Sequence, residues 1–232
     1  MSEEQVPVRQ ITDAQITVRP NGPYLVAGSV PVSRRHVVAS ELDEPLEWQT
    51  GERFESKPMI ALCRCGGSAS KPFCDGTHAR IGFDGTEHAP TTTYDERAKS
   101  YDRGTKIVVR DDRAICEHAG FCSNHTTNVW KMISPAIEDT IVRSQMMAMV
   151  TRCPSGALTL RTLDGADIEP ELAEAIGVID DGPLLVTGAI PVARADGEPF
   201  EARNRITLCR CGQSANKPLC DGSHHEAGFT DH

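Results

Sequence analysis

Residues 63–78 read CRCGGSASKPFCDGTH, and residues 209–224 read CRCGQSANKPLCDGSH. One chain of 232 residues therefore writes the same cysteine- and histidine-bearing segment twice. Aligned over 59–83 and 205–229, the copies are identical at 16 of 25 positions, including Gly82-Phe83 against Gly228-Phe229. The likeness extends upstream, where NGPYLVAGSVPV (21–32) answers DGPLLVTGAIPV (181–192). Between that block and the cysteines the first copy carries 14 extra residues. The stretch SRRHVVASELDEPLEW (33–48) is read as a surface loop that absorbs them, because lengthening a loop costs little closure entropy.

The repeat unit reads as strand, turn, strand and ligand loop, with two copies flanking something different. YLVAGSV and LLVTGAI are expected to be strands, as are MIALC and RITLC, which feed the ligand loops. Residues 84–103 are polar and turn-rich and read as a linker. In the middle segment KIVV (106–109) and ALTLRTL (157–163) read as strands. Residues 137–153 read as a helix stopped by Pro154, with Ile141 or Val142, Met146, Met149 and Cys153 on one stripe; the methionines there are core filler.

Aromatic residues make up only 5% of the chain, which argues against a large core. A net charge of −9 argues against nucleic acid or an anionic membrane surface. No apolar run approaches the ~20 residues of a membrane span. The N-terminal stretch MSEEQVPVRQITDAQ has neither a basic start nor an apolar core, so a soluble, cytoplasmic protein is expected. Nine cysteines cannot all pair within one chain, and metal ligation is the natural alternative. They form three trios: Cys63, Cys65 and Cys74; Cys116, Cys122 and Cys153; Cys209, Cys211 and Cys220. Each trio has a histidine close by.

In each repeated loop two cysteines separated by one residue can point inward together. Cys74 and His78, or Cys220 and His224, share a face if the intervening residues make a helical turn. Asp75 and Asp221 are placed to cap that turn. Three thiolates and one imidazole result, a donor set that spacing alone leaves open to zinc. The pattern C-x-C-x2-S-x3-P-x-C-D-G-[S/T]-H, met at every defined position in both copies, resembles the CDGSH iron–sulfur (mitoNEET-like) family. The resemblance implies one 2Fe–2S cluster per loop. Cys63 and Cys65 would hold one iron and Cys74 and His78 the other; Cys209 and Cys211, then Cys220 and His224, would do the same. It also implies a homodimer-like arrangement fused into one chain, an intramolecular pseudo-dimer.

The inserted AICEHAGFCSNHTTNVW, followed after a helix by RCPSGALTL, resembles the divergent mono-cluster ferredoxins. Cys116 and Cys122 occupy the outer positions of a C-x2-C-x2-C run, Ala119 replaces the middle cysteine, and Cys153-Pro154 supplies the remote ligand. Three thiolates suit a 3Fe–4S cluster, or a 4Fe–4S cluster if His118, or less readily His125, takes the vacant iron. His36, His88 and His232 are expected to be solvated, and Trp48 and Trp130 to pack. Arg64 and Arg210 either donate to cluster sulfide or face solvent; Lys71 and Lys217 are read as tuning or docking charges.

These readings give an α+β chain. Two small β-rich CDGSH modules are expected over 1–90 and 178–232, with cluster loops at 59–83 and 205–229, around a ferredoxin-like insert over 104–163. No phosphate-cradling loop, nucleophile elbow or catalytic residue is found, so a carrier is expected rather than an enzyme. Its function would be one-electron transfer or cluster storage and delivery. The partner would be a redox protein or an apo-acceptor, and the chain a monomer with an internal pseudo-twofold. The alternatives are a domain of a redox enzyme and a zinc-stabilised interaction module.

Overall fold

The computed structural model describes residues 13–103 and 106–231. Residues 1–12 of the first expected module, and His232, lie outside that range. The first copy supplies β1 (Gln15–Val18), β2 (Tyr24–Ala27), β3 (Val32–Ala39), β4 (Pro45–Arg53) and β5 (Met59–Leu62), then the ligand loop and α1 (Thr77–Arg80). Next come α2 (Tyr94–Arg97), β6 (Lys99–Tyr101), β7 (Ile107–Asp111), α3 (Val129–Met132), α4 (Thr140–Thr151), β8 (Leu158–Thr162) and β9 (Asp167–Ile168). The second copy supplies β10 (Ala175–Ile179), β11 (Leu184–Thr187), β12 (Val192–Ala193), β13 (Arg205–Leu208) and α5 (Ser223–Glu226). The chain is mixed α and β, mostly sheet with few short helices.

Each copy begins with a hairpin whose turn residue, Asn21 or Asp181, takes a positive φ ahead of glycine, a residue pair that suits tight hairpins. The two hairpins then exchange a strand. In one sheet, ordered β12-β1-β2-β5, the second copy's β12 runs parallel to β1, with Ile16 opposite Val192. In the other, ordered β13-β11-β10-β3-β4, the first copy's β3 runs parallel to β10, with Val32 opposite Ile176. One core joins both sheets, with Ile16, Tyr24, Val26 and Leu62 buried among Ile176, Leu184, Val186 and Leu208. Strands of four residues are marginal alone, and the reciprocal exchange lets each sheet close over this shared core.

The middle segment has its own sheet, ordered β6-β7-β8-β9, and its own core, in which Val109 and Leu160 meet Val129, Ile133, Met146 and Val150. The helix expected over 137–153 is a short 3-10 turn followed by α4, with Asp139 as N-cap accepting from the Ile141 and Val142 amides. Of the two candidates for its apolar stripe, Val142 packs and Ile141 is exposed.

Two expectations are corrected. Residues 33–48 are not a loop but part of the β3–β4 hairpin, an arm that leans on the middle segment. On that arm the Trp48 ring lies 4.9 Å from the Phe121 ring, and its Nε1 donates to the Arg152 carbonyl at 3.0 Å. Glu44 accepts from both the backbone N–H and the Nδ1 of His125. Residues 84–103, read as a linker, carry secondary structure of their own. A Thr93–Glu96 capping box starts α2, and β6 follows.

Candidate metal centres

The end of β5 holds the first ligand loop by backbone bonds. Cys63 N–H donates to the Pro72 carbonyl and Cys74 N–H to the Ala61 carbonyl, both at 2.8 Å. The second loop repeats this, with Cys209 donating to Pro218 and Cys220 to Thr207. Ser68 and Ser214, invariant between the copies, each donate a hydroxyl to the carbonyl preceding the third cysteine, that of Phe73 and Leu219. Asp75 accepts from the Ala69 and Thr77 amides, which holds its carboxyl well below the usual range, and Asp221 does the same with Ala215 and Ser223. The Lys–Pro bond of each loop is cis.

This scaffold brings the predicted ligands together in pairs. Cys63 and Cys65 Sγ are 3.9 Å apart, and Cys74 Sγ lies 3.3 Å from His78 Nδ1. In the second loop the distances are 3.7 Å for Cys209–Cys211 and 3.4 Å for Cys220–His224. Among the described residues no three cysteine, histidine or carboxylate side chains converge on one point. The backbone amides of Gly76, Gly222 and Gln213 point at the sulfurs of Cys74, Cys220 and Cys211. Such donors favour thiolate. Burial opposes it, pushing the Cys65 thiol up to about 11 and Cys220 higher still, so these thiols stay protonated until a soft cation displaces the proton.

The two loops abut. A side chain on Gly66 would strike the Cys211 carbonyl oxygen at 2.4 Å, and one on Gly212 would meet the Cys65 carbonyl oxygen at 2.7 Å. Only glycine, at positive φ in both places, allows that approach. Tyr24 crosses between the copies as well. Its hydroxyl is shared between the carbonyls of Cys209 and Pro218, and the Arg64 guanidinium lies 5.6 Å from its ring. Arg64 and Arg210 do not face solvent, as one expectation had it. Each is 1% exposed and donates to its own copy's hairpin turn, Arg64 to the Arg19 carbonyl and also to the Gly85 carbonyl beyond the ligand loop, and Arg210 to the Ile179 and Gly182 carbonyls. Lys71 lies over Phe229 of the other copy, and Lys217 bonds to the Ser214 carbonyl.

In the middle segment Cys116, Cys122 and Cys153 line one cavity of about 230 Å³ together with His118, Ala119 and Ser155. Burial pushes the Cys122 and Cys153 thiols up. Arg113, unremarked in the sequence although three residues before Cys116, points a guanidinium nitrogen at its sulfur from 3.8 Å. Three thiols line this half-open cavity beside Arg113, which also pairs with Asp111 at 3.2 Å, a donor set that fits a thiolate-bound cluster. His118 lines this cavity at φ 64°, and its ring also meets Gly222 of the second loop. His125 is drawn away to Glu44. His36 is not simply solvated; its Nδ1 pairs with Asp180. The His88 amide donates to the Lys217 carbonyl.

Beside His118, Glu117 is fully buried, and burial pushes its carboxyl up to about 8. All nine cysteines are free thiols.

Residues 21–79 and 181–225 both match the family described as iron-binding zinc finger CDGSH type. The chain is an iron–sulfur protein that carries two CDGSH-type domains. Between its two modules, residues 102–163 match a second family, described as divergent 4Fe-4S mono-cluster. No curated protein matches the chain significantly. Among the described residues of this tandem CDGSH protein, no helix is long and apolar enough to cross a membrane.

Proposed function

We propose that the chain carries three iron–sulfur centres and works in one-electron transfer rather than as a catalyst of bond making. Cys63, Cys65, Cys74 and His78 would hold one 2Fe–2S cluster, and Cys209, Cys211, Cys220 and His224 another. Cys116, Cys122 and Cys153 would hold a 3Fe–4S cluster, or a 4Fe–4S cluster completed by His118. Bound clusters of these kinds supply one-electron redox centres. The observation that carries the reading is contiguity: the two CDGSH loops meet at Gly66 and Gly212, and His118 touches both the middle cavity and Gly222. Donors arranged in pairs support a two-iron centre over one tetrahedral zinc, which needs four ligands around a single point.

The reciprocal strand exchange supports an intramolecular pseudo-dimer that works as a monomer. A redox protein of the cytoplasm would be its partner. A second reading, cluster storage and delivery to an apo-acceptor, is favoured by the half-exposed Cys74 and His78. Iron and sulfide analysis of anaerobically prepared protein, with electron paramagnetic resonance, tests the assignment. Four irons from the CDGSH loops and three or four more are expected. A total of only four would remove the middle centre from the reading.

A further inference from the structure

The two CDGSH loops share a sequence and a backbone but not surroundings. The second is covered by the middle segment at three points. Gly222 lies beneath the Glu117 carbonyl and the His118 ring. Asn216 donates its side-chain amide to the Ala114 carbonyl at 2.6 Å. Arg205 donates to the carbonyls of Cys153, Val150 and Leu158, at 2.7, 3.2 and 3.0 Å. Cys220 and His224 are buried as a result.

The counterparts of these three contact residues in the first loop are Gly76, Ser70 and Met59. All three are exposed, Met59 to 64%, and a side chain built on Gly76 would meet nothing within 4 Å. Cys74 and His78 are correspondingly half-exposed. The chain therefore shows on one module how a cluster-bearing loop seats against a CDGSH loop, and leaves the same face of the other module open.

We propose that this open face, formed by Met59, Ser70, Cys74, Gly76 and His78, docks a separate single-cluster ferredoxin-type protein. The partner would present its cluster-bearing loop there as the chain's own 116–120 loop is presented to the second module. This rests on the iron–sulfur reading given above. The small Gly76 and Ser70 leave room for a backbone carbonyl to approach, as Glu117 approaches Gly222. Met59 differs from Arg205 in offering an apolar edge instead of three hydrogen bonds, so the partner's contact there is apolar and reversible, whereas the internal one is fixed. A second copy of the chain does not offer the same loop, because its 116–120 segment is already seated on its own second module.

The probe is a purified single-cluster 4Fe–4S ferredoxin, titrated into the full iron-loaded chain and its variants by calorimetry. Iron content and visible spectrum are recorded first for each protein. One ferredoxin per chain is expected to bind. Met59→Glu and Ser70→Trp, both at exposed positions, should weaken binding at least ten-fold while leaving iron and spectrum unchanged. Leu163→Glu, exposed on the middle segment, should have no effect. Absence of binding to the wild-type chain, or equal binding by Met59→Glu and Ser70→Trp with their iron intact, overturns the proposal. Concentration-dependent dimerisation lost in the same two variants assigns the face to a second copy and overturns it too. A chain that binds no iron fails at the earlier step, and the docking proposal falls with it.

Discussion

Tyr24, on a strand of the first copy, gives its hydroxyl to the carbonyls of Cys209 and Pro218 in the second, at 2.8 and 3.0 Å. A residue 39 positions before the first ligand cysteine thus supports the other copy's loop. Tyr24→Phe leaves two buried carbonyls without this donor and should cost about 1–3 kcal/mol. Thermal unfolding measures the cost, and site-resolved iron loss measures its direction. Faster loss from the second loop is expected. Faster loss from the first loop alone would show that the crossing does not couple the copies.

The contacts that Trp48 makes from the arm should matter to the middle segment only. Trp48→Ala removes the Phe121 contact and the bond to the Arg152 carbonyl, for about 1–3 kcal/mol. The expected result is a weakened or missing middle-cluster signal in electron paramagnetic resonance, with both CDGSH signals intact. Loss of all three signals together would mean that the arm supports the whole fold.

Sequence patterns located the strands that feed each loop and the cysteine and histidine pairs that the structure brings together there, because those depend on local alternation and spacing. The arm escaped them. Its residues are mostly polar and at least partly exposed along β3 and β4, and it packs through a few side chains, Trp48, Pro45 and Glu44, against a segment 73 or more positions away. Strand exchange left no local mark either, since Ile16 meets Val192 and Val32 meets Ile176 by topology alone. Two local sequence signals do mark other features of the fold. Thr93-x-x-Glu96 is a capping box, and Tyr24 stands where the second copy has Leu184, a break in the repeat that marks a residue with a separate task.

Asp231 ties the copies together electrostatically, and this link should be visible in acid. Its carboxylate has no exposed side-chain surface and receives Arg210 at 2.5 Å and also Arg34 of the first copy. Burial alone would raise it, but the two arginines and the Asp181 amide outweigh that and bring it down to about 2. A carboxyl depressed in the folded state contributes stability that is present above its unfolded value near 4 and lost as pH falls toward 2. The loss is about 2 kcal/mol by linkage. Denaturant titrations from pH 5 to pH 2 should show this slope in the wild type and a flatter one in Asp231→Asn, which is less stable at pH 5. Parallel curves for the two proteins would discount the link.

The last prediction separates the two histidines. Neutral imidazole carries less negative charge than thiolate, so a site with one histidine is easier to reduce than an all-cysteine site and is also open to protons competing for the nitrogen. The sequence alone makes His78 and His224 equivalent in this respect. The structure does not: His78 is half-exposed, whereas His224 is buried beneath the middle segment, and burial pushes its imidazole down to about 4. At mildly acidic pH the first loop should therefore lose its cluster while the second keeps it, giving two phases in visible absorbance. His78→Cys should slow the fast phase and lower that site's potential. His224→Cys should lower the other potential but leave the decay almost unchanged. A single decay phase in the wild type, or equal protection by the two substitutions, would show that cover by the middle segment does not govern cluster loss.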